Sequence, residues 1–227
     1  RTEIHPLPAF SFKKEGELKK ARVEAKKINT RLKEFTNELG DSNNSYKEDA
    51  FALYLSGMIF EALGELDDAL IDYKKSLTIY ESDEYKRFYY GKIREQIAQA
   101  LYKLSLKRNR RNLVKSLEDK YPFVKETGKL QTGELITLHE VGLISLKESK
   151  DFFLPAGNQL VRFSYPIIEA YNQNYSDSGV YIEGQGFKKA QNAAYMSAVA
   201  RETLEEQRLR LIAKGIARVL LKSQVNR

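Results

Sequence analysis

The sequence predicts an α+β protein: N-terminal helical repeats followed by a small antiparallel β unit packed with a long C-terminal helix. Three observations carry that expectation. A twelve-residue string recurs in the first half of the chain, and the apolar period stays helical as far as Pro122. Beyond it come short alternating runs broken by Gly, Pro, Asn and Asp, and from Ala193 the helical period returns. Helices, then strands, then one helix is the order of an α+β chain. It divides the sequence into a helical domain at 1–125 and a domain of β unit plus helix at 126–227.

The repeat is GELKKARVEAKK at 16–27 and GELDDALIDYKK at 64–75, an offset of 48 residues. Gly16 and Gly64 supply permissive turn residues, and Ala21 and Ala69 follow on helices that their small side chains let approach closely. Helices are expected over 17–39, 49–63 and 67–80, with the polar loop 40–49 accounting for the long offset. A further helix is expected over 84–106, where Tyr85, Phe88, Tyr89, Ile93, Ile97, Leu101 and Leu104 share a stripe. A short helix over 110–119 ends before Pro122. Strands are expected at 133–142, 143–154, 159–168 and 179–184. The last helix, over 193–223, carries an apolar stripe of Leu204, Leu211, Ile212, Gly215, Ile216, Val219 and Leu220. The segment 1–12 has two prolines and no helical period, so the first copy lacks its own preceding helix. Because the chain also opens on Arg1, it is expected to start inside a longer array.

Composition excludes much chemistry. The 227 residues are 42% hydrophobic and 30% charged, values of a folded globular chain long enough to bury a core. With no Cys, the chain offers no thiolate ligand, thiol nucleophile or disulfide. Its two histidines, His5 and His139, are too few and too far apart for a His-rich metal site. No run of 18 apolar residues occurs, so no transmembrane helix is expected. The net charge of +7 is concentrated locally: residues 101–130 hold nine basic and three acidic side chains. One patch of this kind does not suit a nucleic-acid binder, which spreads basic charge along a reading face.

The candidate constellations resolve mostly to structure. GQGFKK at 184–189 lacks the third small residue of a dinucleotide fingerprint and is expected to be a strand-to-helix turn. His139 and Glu140 are neighbours on a strand and point to opposite faces. Asp67 and Asp68 fall in the first turn of a helix, where the dipole favours them; Glu205 and Glu206 have Arg201, Arg208 and Arg210 within helical reach. No catalytic residue, metal ligand or cofactor-binding residue is assigned, and no cofactor is expected. The basic cluster Lys107, Arg108, Arg110, Arg111 and Lys115 is the candidate interaction surface, suited to an acidic protein, a polyanionic glycan or anionic lipid. Tyr46, Tyr54, Phe88, Tyr89 and Tyr90 are candidate groove aromatics.

Leu53, Gly57, Phe60, Gly64, Ala69, Tyr73 and Ser76 fall on the spacing of the tetratricopeptide repeat, and the segment resembles that family. It departs at Leu53, where Trp is usual, at Ser56 and Ser76, where Leu and Ala are usual, and at Glu81, where Pro often follows. Three longer strings widen the resemblance: 21–35, 49–81 and 133–155, the last continued by RFSYP at 162–166 and IAKGIARVLLK at 212–222. Together they look like an uncharacterised family of bacterial tetratricopeptide-containing envelope lipoproteins, often encoded near an outer-membrane activator of peptidoglycan synthases. The resemblance implies a precursor with a signal peptide and lipobox cysteine, further repeat helices before Arg1, and a small-residue-rich segment after Arg227. It also implies a periplasmic location with lipid anchorage at the outer membrane, and it brings no enzymatic activity or active-site residues. The expected function is a non-enzymatic envelope scaffold binding a protein or peptide partner. The alternatives are a binder of peptidoglycan glycan or anionic lipid through the basic cluster and, less favoured, a cell-wall hydrolase or transferase.

Overall fold

The computed structural model describes residues 18–39, 49–83, 85, 92–127, 136–140, 146–156, 159–169 and 178–225. The protein is α+β. Its elements in chain order are α1 (Leu18–Leu39), α2 (Ala50–Ala62), α3 (Leu66–Glu81), α4 (Ile93–Lys107), α5 (Arg111–Lys120), α6 (Val124–Thr127), β1 (Lys147–Ala156), β2 (Gln159–Ile168), β3 (Gly179–Ile182), β4 (Gly186–Lys189) and α7 (Met196–Val225). Internal contacts divide the chain into two units. One holds α1–α6 with Gln191–Ala194; the other holds both β-hairpins and α7.

In the helical unit each long helix packs on the next, α1 on α2, α2 on α3, α3 on α4 and α4 on α5. Helix α2 is apolar nearly all round because it is enclosed by its neighbours: Ala50, Ala52, Leu53, Leu55, Ile59 and Phe60 are all buried. Its start is set by Asp49, whose carboxylate accepts from the Ala52 N–H at 2.9 Å. Small residues set the helix spacing. Ala21 and Ala69 are both buried, and Gly57 lies directly beneath the ring of Tyr73. The Tyr73 hydroxyl donates to Glu61 at 2.7 Å, which fixes the ring over the glycine.

A buried polar node joins α1, α2 and α3. Asp72, 3% exposed, accepts from the Ser56 hydroxyl at 2.6 Å and from the Asn29 amide at 3.0 Å. Ser76 in turn donates to the Ala50 carbonyl at 2.6 Å. The two serines, where the repeat pattern has Leu and Ala, thus supply the buried hydroxyls of the helix contacts. Burial pushes the Asp72 carboxyl above its ordinary value, and the hydrogen bonds from Ser56 and Asn29 oppose that rise.

The helix-to-helix turn recurs. Gly64 and Asn109 both take positive φ, 76° and 53°. The residue after each returns a bond to a carbonyl five positions back, Glu65 N–H to Phe60 and Arg110 N–H to Ser105, both 2.9 Å. The helix pairs α2–α3 and α4–α5 therefore share one turn, 45 residues apart by the positions of Gly64 and Asn109. Packing inside the pairs differs. At that offset Tyr102 stands in the place of Gly57 and Glu118 in that of Tyr73, and the Tyr102 hydroxyl donates to Glu118 at 2.8 Å.

In the second unit, β1 and β2 form an antiparallel hairpin with Phe152 opposite Phe163, and β3 and β4 form another with Tyr181 opposite Phe187. Phe152 stacks on Phe163 and on Tyr165, each at 5.0 Å between ring centroids. β2 packs on α7, where Gly215 lies against the edge of the Phe163 ring. No helix among the described residues is long and apolar enough to cross a membrane.

Several expected elements differ. Residues 136–140 of the expected strand 133–142 are not in a strand, and Ile136 and Leu138 are exposed; alternation alone makes no strand without a partner ladder. β1 runs over 147–156, past the expected end at 154, because its register is set by pairing with β2; residues 143–145 of the expected strand 143–154 lie outside the described residues. β3 stops at Ile182. GQGFKK is a hairpin turn entering β4, not a strand-to-helix turn: Gly184 and Gly186 take φ of 76° and 75°, reversing the chain onto β3. In the helix expected over 84–106 the described helical residues begin at Ile93; the Tyr85 N–H bonds to the Ser82 carbonyl, and 84 and 86–91 lie outside the described residues.

Gly57→Ala should lower stability. Its Cβ would stand 2.5 Å from Tyr73 Cδ1, and overpacking costs about 1–3 kcal/mol against the ~1 kcal/mol that Gly→Ala gains in a helix interior. A higher melting temperature for the variant would show that the ring yields. Asp72→Asn tests the node. Because the folded-state pKa is raised, the Asp72 contribution is fully present below the ordinary 3.8 and is lost as pH rises through the folded value. The variant should therefore melt higher than the parent at neutral pH and lose that advantage in acid. A variant that melts lower at neutral pH would show that the ionised carboxylate stabilises the helices.

Candidate interaction site

The basic cluster folds into the α4–α5 turn and the start of α5. Lys107 ends α4, Arg108, Asn109 and Arg110 form the turn, and Arg111 opens α5, with Lys115 one turn on. Facing it is one side of α3. Asp67, Leu70, Ile71 and Lys74 are spaced i, i+3, i+4 and i+7 and so lie on a single helix face. Between the two surfaces is an open groove of about 570 Å³, lined by these four residues together with Asn109, Arg110, Arg111, Asn112 and Leu113. Its floor is aliphatic. Leu70 is buried and Leu113 half-buried, whereas Ile71, flanked on its helix face by Asp67 and Lys74, is 53% exposed.

Asp67 organises the rim. Its carboxylate accepts from Arg108 through Nη2 and, at 3.3 Å, Nε, and from Arg110 Nη2 at 3.1 Å. The Arg108 hydrogen bond, then that of Arg110, holds the Asp67 carboxyl below its ordinary value. Two of the five cluster cations are thus directed at one carboxylate. Lys74 and Arg111, on opposite walls, have no carboxylate partner among the described residues. Asp68, next along α3, is exposed and does not line the groove. The groove therefore combines an apolar floor with a net positive rim. Lys115 lies outside it, on a second, shallow depression of α5 with Asn112, Ser116, Asp119 and Lys120.

Of the candidate aromatics, Tyr54 is half-buried on α2 with its ring 5.7 Å from that of Tyr73, a helix–helix contact. Tyr46, Phe88, Tyr89 and Tyr90 lie outside the described residues. Sequence reasoning missed the α3 half of the groove. Leu70, Ile71 and Lys74 sit inside the repeat string, where Ile71 reads as one more apolar repeat position. The available signal was that Val23, its counterpart in the first copy, is an aliphatic between the charged Arg22 and Glu24; both are exposed, Val23 at 50%.

Two further carboxylates, Glu81 and Asp151, anchor local networks. Tyr121 donates to Glu81, which also pairs with Lys120 at 2.6 Å, and burial together with Glu81 pushes the Tyr121 phenol far up. On the β1–β2 hairpin Asp151 accepts from Ser164 and Arg162, which hold its carboxyl below the ordinary value.

Asp67→Asn should lower stability slightly at neutral pH by removing the negative charge, and one acceptor oxygen, that faces two guanidinium groups. A depressed folded-state pKa contributes stability above 3.8 that is lost as pH falls through the folded value. The gap between parent and variant should accordingly close in acid, as read from paired thermal melts. A gap independent of pH would assign the effect to packing. The chain matches no family model, no curated protein and no solved structure.

Proposed function

We propose that this chain is a non-enzymatic scaffold of the bacterial cell envelope whose helical unit, a tetratricopeptide-like array, docks a protein or peptide partner. The observation that carries the reading is the groove between α3 and the α4–α5 turn, where Ile71 stands exposed on an apolar floor beneath a cationic rim. Covering Ile71 together with the Leu70 and Leu113 floor would remove apolar surface from water, which favours binding of a partner there. The array reading is supported by the shared turn at Gly64 and Asn109, by the buried Ala21 and Ala69, and by the glycine-on-tyrosine contact of Gly57 and Tyr73. The envelope location and an upstream lipid anchor rest on the sequence resemblance alone. Docking to glycan or lipid through the basic cluster is less well supported, because Arg108 and Arg110 are directed at Asp67.

Photo-crosslinking in cells tests the reading. A benzophenone amino acid replacing Ile71 in the full-length protein should give a discrete protein adduct, and the same label at Lys103, exposed on α4 and outside the groove, should not. Adducts of equal yield at both positions, or none at Ile71, would overturn it.

A further inference from the structure

The groove itself selects among partner segments by its chemistry. Three aliphatic side chains, Leu70, Ile71 and Leu113, make a floor with room for an apolar side chain and its neighbours, about 570 Å³. Lys74 and Arg111 stand on opposite walls without a carboxylate partner among the described residues. Arg110 completes the positive side and is held by Asp67, which Arg108 also bonds from outside the lining, so the rim keeps its geometry without a ligand. Asp67 is the sole acidic residue among those lining the groove. A basic partner segment would bring like charge against both walls. A purely polyanionic one would leave the floor uncovered and wet.

Resting on the docking reading above, we propose that the groove takes an acidic amphipathic segment of a partner protein. Its apolar side chain covers Ile71 between Leu70 and Leu113, while flanking carboxylates pair with Lys74 and Arg111. The face of α3 formed by Asp67, Leu70, Ile71 and Lys74 spans two helical turns, roughly 10 Å along the axis, which matches a short segment better than a broad protein surface. Apolar contact supplies most of the affinity, and the rim charges supply orientation and rejection of basic sequences.

The test uses the full chain and three fluorescein-labelled synthetic peptides: glutamate and leucine in a helical amphipathic pattern, its lysine–leucine counterpart, and polyglutamate. Fluorescence anisotropy should show binding of the glutamate–leucine peptide, at least about tenfold weaker binding of polyglutamate, and none of the lysine peptide. Lys74→Glu and Arg111→Glu should each weaken binding about fivefold or more at low ionic strength, with less effect in high salt. Lys103→Glu, an equal charge reversal outside the groove, should leave binding unchanged, and Ile71→Ser should weaken it with folding intact, since Ile71 is exposed. Polyglutamate binding as tightly as the amphipathic peptide, or an equal loss from Lys103→Glu, would overturn the proposal in favour of a diffuse cationic surface. A discrete adduct at Ile71 in cells with no binding of the glutamate–leucine peptide would overturn the acidic-segment proposal and leave the scaffold reading standing. Absence of both would remove the two together.

Discussion

Asp72 is the residue on which the arrangement of the helical unit turns. A carboxylate carried into the interior must be hydrogen-bonded or it destabilises the fold by several kcal/mol. Here Ser56 of α2 and Asn29 of α1 supply the bonds, so one buried group of α3 specifies the angular setting of three helices at once. Apolar contacts alone tolerate rotation and sliding; a directional pair of bonds to one oxygen does not. With Asp72 and Tyr73 turned inward, helical geometry turns Ile71 and Lys74 outward. The exposed aliphatic of the groove is thus the other side of the buried carboxylate.

The opposite wall depends on backbone conformation. Asn109 holds a left-handed φ of 53°, which reverses the chain in three residues and brings Arg108 and Arg110 to Asp67. Gly64 does the same service between α2 and α3 at no steric cost, whereas Asn is among the few side chains that enter this region readily. The two turns deliver the two walls: Gly64 starts α3 with Asp67 in its first turn, and Asn109 starts α5 with Arg111. The Asp67 contacts then join one helix pair to the next on the solvent side, complementing the apolar packing of α3 on α4 within.

The second unit is held by different means. A two-stranded sheet has little stability of its own. β1–β2 gains it from the ring cluster of Phe152, Phe163 and Tyr165, and from α7, where Gly215 leaves space for Phe163 to seat on the helix. On the other face of the hairpin Phe153 and Leu160 remain exposed, at 62% and 71%. In the β3–β4 hairpin Phe187 reaches across to the backbone of Gly179, which a larger residue would block.

The residues that make local structure were legible in order. Gly64 followed by Glu-Leu-Asp-Asp marked a helix start and Leu204 with Ile212 traced one stripe of α7, because turns and periodicity act over a few residues; Asp49, expected inside the helix 49–63, instead caps it. The strand at 133–142 misled for the same reason: alternation is local, but a ladder needs a partner from elsewhere in the chain. Both helices of the α4–α5 pair were expected, but its likeness to the α2–α3 pair was hidden, because Asn109 does the work of glycine while Tyr102 and Glu118 exchange the large and small positions of Gly57 and Tyr73. Sequence by itself determined the α+β class, the helix periods and the basic cluster. Only the tertiary structure decided that two of those cations are directed at Asp67, that Asp72 is buried and Ile71 exposed, and that α3 forms half of the groove. Each of these depends on side chains about 40 residues apart in the chain meeting in space, and no local pattern encodes such a meeting.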